Sequence, residues 1–236
     1  MFFHSMYFDP MYFIIIGPGL LLSLWASFRV KSAFGKYSKV RSARGLTGAQ
    51  AAQEMLNNAG LSDVKVVPTS GMLSDNYNPL TKTLNLSDEV YGSNSIAAIG
   101  VATHEAGHAL QHAAHYAPLW VRSALVPTAN IGSGIGYFVM LLGLMFSSTN
   151  MVLAGAVLFS AVLLFQIVTL PVEFDASNRA KALVVEQGII TAQEREGMDK
   201  VLNAAALTYV AAAISTLLTL LYFLLRSGLL GGRRRD

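Results

Sequence analysis

Four stretches of this chain lose their polar residues for long enough to cross a bilayer, and the segments between them keep the patterning of a folded aqueous part. Met11 to Phe28 is apolar and uncharged, enough to span a hydrocarbon core of about 30 Å. From Ser123 to Val172 no residue is charged. That length suits two helices, near Ile131 to Phe146 and Met151 to Leu170, joined by the polar turn SSTN. A fourth apolar stretch runs from Ala204 to Leu225. Gly132 to Gly136 spell GSGIG, which without a preceding strand reads as close packing of membrane helices and not as a nucleotide loop.

The intervening segments predict mixed structure. Thr47 is placed to cap a helix through Asn58, with Ala51, Ala52, Met55, Leu56 and Ala59 on one face and Gly60 ending it. VKVVPT reads as a strand, and KTLNL as a second strand after the turn residues of NYNP. Ser95 opens a helix that should run through THEAGHALQHAAHY, residues 103–116. Pro171 is placed to start a fresh helical turn after the third apolar segment.

Charge gives the expected orientation. Arg29, Lys31, Lys36, Lys39, Arg41 and Arg44 follow the first segment with no acid before Glu54, so this loop is expected in the cytoplasm and the N-terminus outside. A cleaved signal peptide fits badly, because Asp9 precedes the segment and the basic residues come after it. Four crossings return the C-terminus to the outside, yet Arg226, Arg233, Arg234 and Arg235 favour the cytoplasm. Either the first loop dominates or the last segment does not cross fully. The composition, 53% hydrophobic and 13% charged, is that of a membrane protein. With no cysteine, disulfides, thiolate zinc sites and thiol nucleophiles are excluded. The net charge of +3 is placed beside apolar segments, which argues against a nucleic-acid partner.

Four of five histidines lie in the 103–116 stretch. At about 100° and 1.5 Å per residue, His108 lies about 40° round and 6 Å along from His104, so both imidazoles can converge on one ion. His112 and His115 lie about 12 and 16 Å beyond His104, out of shared reach, and are expected at the surface or behind the ligands. The adjacent pair enclosing a glutamate is His104-Glu105-Ala106-Gly107-His108, the HExxH pattern in which two imidazoles hold zinc and the glutamate activates the zinc-bound water. A catalytic zinc needs a third protein ligand. A metzincin would carry it six residues after the second histidine, with glycine three before it, where this chain has Ala114 and Gln111. His4 is expected outside and cannot serve. Glu173 stands where charge resumes after an even number of crossings, on the same side as His108. The alternative is an interfacial glutamate paired with Arg179 or Lys181.

HEAGH followed, after a membrane hairpin, by EFDAS resembles the gluzincin membrane proteases of the HtpX and Ste24 type. The resemblance implies Glu173 as third zinc ligand, with Ser177 where those proteins have aspartate. The chain is more similar still to the bacterial YugP-type membrane zinc metallopeptidase family, through FRVKSAFGKYS, GLTGAQAAQEML, LSDNYNPLTKTLNLS, ATHEAGHALQH, LPVEFDASNRAKAL and KVLNAAALTYVAAA. Members of that family carry Asp-His-Tyr-Asp-Pro where this chain has Asp75-Asn76-Tyr77-Asn78-Pro79, so Asn76 and Asn78 cannot supply an essential ligand or base. The resemblance implies a peptidase with one catalytic zinc ion.

The expected fold is mainly α and multi-pass, about four transmembrane helices around a small α+β zincin-like cytoplasmic zinc domain. Its plan is a first transmembrane helix (1–30), a cytoplasmic part with the HExxH helix (31–122), a transmembrane hairpin (123–172), a cytoplasmic helix with the third ligand (173–203), and a last transmembrane segment with a basic tail (204–236). The expected activity is endopeptidase cleavage of membrane or membrane-proximal proteins in the bacterial inner membrane, for quality control or processing. His104, His108 and Glu173 are the metal ligands, Glu105 the general base, Tyr209 a donor to the oxyanion, and Ser177 a partner orienting a ligand. The alternative for Tyr209, and the more common use of such a residue, is an interfacial belt position. Lys82 to Leu86 is expected to pair with the substrate backbone. The partners are a protein or peptide substrate and the lipid bilayer, with a homo-oligomer or a membrane partner protein left open. The alternative function is a catalytically silent zinc-binding scaffold. A metal transporter would carry ionisable ligands inside its spans, which here are uncharged.

Overall fold

The computed structural model describes residues 9–71 and 74–230. His4 and Arg233, Arg234 and Arg235 lie outside the described residues, and with them the expectations that rest on them. In chain order the elements are α1 (Pro10–Tyr37), α2 (Gly48–Asn58), β1 (Lys65–Thr69), β2 (Asn76–Asn78), β3 (Thr83–Ser87), α3 (Asp88–Tyr91) and α4 (Ile96–Ala113). There follow α5 (Ala117–Ile131), a π-helical turn over Gly132–Gly136, α6 (Tyr137–Met145), α7 (Thr149–Glu186) and α8 (Ala192–Arg226). Four helical stretches among the described residues are long and apolar enough to cross a bilayer: α1, Ala117–Met145, α7 and α8. The protein is a mainly α, multi-pass membrane protein with a small α+β domain.

The chain forms two compact units. Among the described residues, one comprises those up to Ala26, Val121–Leu170 and those from Thr208 onward. Lipid offers apolar side chains no gain over each other, so membrane helices associate through close van der Waals fit and polar contacts. Both occur here. A Cβ added at Gly132 would lie 2.4 Å from the Leu158 carbonyl oxygen, and one at Gly155 would lie 2.6 Å from the Met140 nitrogen. Glycine at these positions lets α7 meet the α5–α6 stretch backbone to backbone. Ser215 Oγ donates to the Gly19 carbonyl at 3.0 Å, joining α8 to α1. Asp9 accepts from Tyr222 Oη at 2.9 Å and from Arg226 Nε at 3.2 Å.

The other unit comprises Ser27–Trp120 and Pro171–Leu207. Its α2 begins in a capping box: Thr47 Oγ1 accepts from the Gln50 amide while Gln50 Oε1 accepts from the Thr47 amide. The helix buries Ala51, Ala52, Met55 and Leu56 against a core that includes Leu84, Leu86, Ile96 and Ile99. Burying each larger side chain contributes roughly 1.5–3 kcal/mol. Ser95 caps α4 by accepting from the Ala98 amide. Small residues on nearly every face of α4, among them Ala97, Ala98, Gly100, Ala102, Ala106 and Ala109, let it run through the middle of this unit.

The sheet order is β1-β3-β2, with β1 parallel and β2 antiparallel to β3. Three expectations change here. Lys82 to Leu86 cannot be a free strand for substrate, because β3 is central and is paired on both sides. The residues NYN, expected as turn, form β2 and close a hairpin onto β3: Asn78 Oδ1 accepts from the Leu80 and Thr81 amides, and Lys82 turns the chain with φ 50°. Pro68 sits on the edge strand β1, where its missing N–H costs little. Pro171 does not start a new helix either. It lies inside the continuous α7, since the one backbone hydrogen bond a proline omits is readily compensated in a long packed helix.

Candidate metal centre

α4 and α7 meet at Gly107, where a Cβ would lie 2.5 Å from the Ala176 carbonyl oxygen. At that separation the side chains on either side of the contact come into register. His104 and His108 project from α4, and Glu173 from α7 three residues before Ala176. His104 Nε2 lies 3.2 Å from Glu173 Oε2, and His108 Nε2 lies 3.7 Å from Glu173 Oε1. Ligand-type atoms of the three residues all lie within 4.8 Å of one another. Glu173 is 2% exposed, too buried for an ordinary surface carboxylate. Arg179, the alternative partner, instead donates to Asp175 at 2.6 Å, and Lys181 donates to Asn203 at 2.5 Å.

The donor set fits zinc. Tetrahedral bonds of about 2.0–2.2 Å place ligand atoms about 3.3 Å apart, close to the separations found. Each imidazole turns its Nε2 towards Glu173 and engages its Nδ1 elsewhere. His104 Nδ1 is 3.0 Å from Ser177 Oγ, and His108 Nδ1 is 2.9 Å from Gln111 Oε1. Such contacts hold a ligand ring in place.

Glu105, half-buried, follows His104 on α4. Ser177 lies one turn beyond Glu173 on α7. Tyr209 belongs to α8 and to the other compact unit. His112 is apart from the trio: its Nδ1 is 2.9 Å from Tyr77 Oη, and its ring meets Trp120 edge to face at 5.3 Å. Burial, with a smaller contribution from Asp63, pushes the Tyr77 hydroxyl above its ordinary pKa. His115 is exposed, with φ 51° in the turn after α4. Sequence reasoning missed Gln111, whose spacing of three residues after His108 was the available signal.

The profile of a family described as "Putative neutral zinc metallopeptidase" matches residues 12–228. The chain is also similar to the "Putative membrane protease YugP" of Bacillus subtilis (strain 168), 49% identical over 204 residues, covering 86% of this chain and 91% of that protein. No solved structure matches the chain. A match of this length takes in both helices that carry the histidine and glutamate side chains, and the chain belongs to this family of zinc metallopeptidases, in its YugP type.

Proposed function

We propose that the protein is a membrane zinc endopeptidase in which His104, His108 and Glu173 hold one catalytic zinc ion and Glu105 is the general base. The observation that carries this reading is the convergence of two imidazole Nε2 atoms on one buried carboxylate, at 3.2 and 3.7 Å. A zinc ion held there supplies a Lewis acid that lowers the pKa of water towards neutrality and polarises a peptide carbonyl. Glu105 takes the proton of the attacking water and returns it to the departing amine. Ser177 and Gln111 keep the two ligand rings oriented. Tyr209, named from the sequence, is the proposed donor to the oxyanion, and Tyr209→Phe tests it through kcat.

An extended substrate pairs through its backbone with an open sheet edge. With β3 enclosed, β2 offers that edge, and Tyr77, held by His112, anchors it to α4. Such pairing reads backbone more than side chains, which suits varied clients. Membrane or membrane-proximal proteins in the bacterial cell membrane, cleaved on the cytoplasmic side for quality control or processing, are the proposed substrates.

Zinc content and casein cleavage or self-cleavage test the reading together. Wild type is expected to hold zinc and cleave, Glu173→Ala to lose zinc, and Glu105→Gln to keep zinc and lose cleavage. Stoichiometric zinc in Glu173→Ala removes the third ligand. Equal cleavage by Glu105→Gln removes the general base, and no cleavage by zinc-loaded wild type leaves a silent zinc-binding scaffold. The Glu105→Gln protein can also trap its clients in the membrane.

A further inference from the structure

Gln111 has no exposed surface, yet every polar atom of its side chain is partnered. Its Nε2 donates to the Val172 carbonyl at 2.7 Å and to Asp175 Oδ2 at 2.8 Å. A primary amide nitrogen carries two hydrogens, and these two bonds use both. Both partners are acceptors, so the reverse orientation would set the amide oxygen against a carbonyl and a carboxylate. The hydrogen bonds therefore assign the amide orientation. Its Oε1 must face His108 Nδ1, 2.9 Å away. An oxygen can only accept, so His108 carries a proton on Nδ1, which in the neutral ring leaves the lone pair on Nε2, the atom that faces Glu173.

The two α7 partners of Gln111, Val172 and Asp175, flank Glu173 in sequence. One side chain thus grips the helical turn bearing the third ligand and the ring of the second. Asp175 is itself held by Arg179 at 2.6 Å, and the Arg179 guanidinium lies 5.8 Å from the Tyr116 ring centroid. We propose that Gln111 is the positioning residue of the metal centre: its locked amide selects the Nδ1–H tautomer of His108 and ties that imidazole to the turn of α7 carrying Glu173. The role in metal binding rests on the zinc reading above. The tautomer does not, because it is set by hydrogen bonds within the protein.

Two measurements on the full-length protein keep these apart. The first is 15N NMR of histidine-labelled, metal-free protein, with the His108 signals identified by their loss in His108→Ala. The wild-type His108 ring is expected as the Nδ1–H tautomer, and in Gln111→Met, similar in size but without an amide, it is expected to move towards Nε2–H. The second is zinc affinity by chelator competition, expected to fall about 10–100-fold in Gln111→Met. Gln111→Glu sets a carboxylate against Asp175 and is expected to weaken zinc as well. Adding Asp175→Asn restores a donor opposite that acceptor and should recover most of the affinity.

A wild-type His108 protonated on Nε2 overturns the tautomer assignment. Zinc affinity within twofold of wild type in folded Gln111→Met overturns the positioning role, even if Glu173→Ala has already shown that zinc is bound here. Should Gln111→Met fail to fold, failure of the double variant to bind zinc better than Gln111→Glu overturns it equally. If instead Glu173→Ala keeps its zinc, the ligand set is wrong while the tautomer measurement still stands.

Discussion

Gly107→Ala adds one carbon at the point where α4 touches α7. That carbon would lie 2.5 Å from the Ala176 carbonyl oxygen, 3.0 Å from its carbon and 3.2 Å from its Cα, whereas ordinary contact begins at 3.4 Å. The obstacle is backbone, so no rotamer change relieves it, and the helices must part locally by about 0.9 Å. Overpacking of this kind costs roughly 1–3 kcal/mol, and alanine's helix preference over glycine returns about 1 kcal/mol. The net loss of stability is therefore modest. Geometry suffers more. Ala176 lies between Glu173 and Ser177, so parting the helices carries the third ligand and the partner of His104 away from both imidazoles. A displacement near 1 Å can cost about 100-fold in rate. The expectation is a protein that still unfolds cooperatively within a few degrees of wild type, with zinc affinity and casein cleavage down at least tenfold. Thermal unfolding, chelator competition and cleavage on one preparation would check it. Wild-type affinity and cleavage in Gly107→Ala would refute the claim that this backbone contact sets the site.

Ser177→Ala removes the hydroxyl partner of His104 Nδ1 and is expected to weaken zinc binding about tenfold with the fold intact, read by chelator competition. Thr47→Ala removes the capping box of α2 and should cost about 1 kcal/mol, lowering Tm while zinc stoichiometry stays unchanged. Tyr77→Phe breaks the bond to His112, costing roughly 0.5–1.5 kcal/mol. The variant should also differ in pH dependence. A Tyr77 pKa raised on folding contributes stability that is complete below the unfolded value near 10 and is lost as pH rises through the folded value. Thermal unfolding from pH 8 to 11 should therefore show a smaller alkaline loss in Tyr77→Phe than in wild type.

What could be read from the chain depended on how local the cause was. The helix through the histidines was legible because Ser95 caps it and because four residues on a helix bring His108 back to the face of His104. Glu173 was legible through its place after the third apolar stretch. Gln111 was not, since its spacing from His108 says nothing of Val172 and Asp175, whose positions depend on how α7 packs. The strand β2 escaped for a related reason: Asn76-Tyr77-Asn78 has turn-like composition, and the three residues become a strand by pairing with β3. That pairing also encloses the strand expected to receive substrate. Pro171 misled because a proline that can start a helix is also tolerated inside one whose neighbours hold it.

The wide turn at Gly132–Gly136 has a consequence for how the hairpin of apolar helices can vary. Gly132 and Gly136 before α6, and Gly143 within it, all abut the backbone of α7, so the turn keeps α6 rotated to continue the contact begun before it. A π turn accommodates one residue more than an α turn, so removing a single residue there would leave an α turn and keep Gly143 against Val152. The turn can thus absorb the loss of one residue, whereas an insertion or deletion within α6 would rotate everything beyond it by about 100° and misphase the rest of the arm.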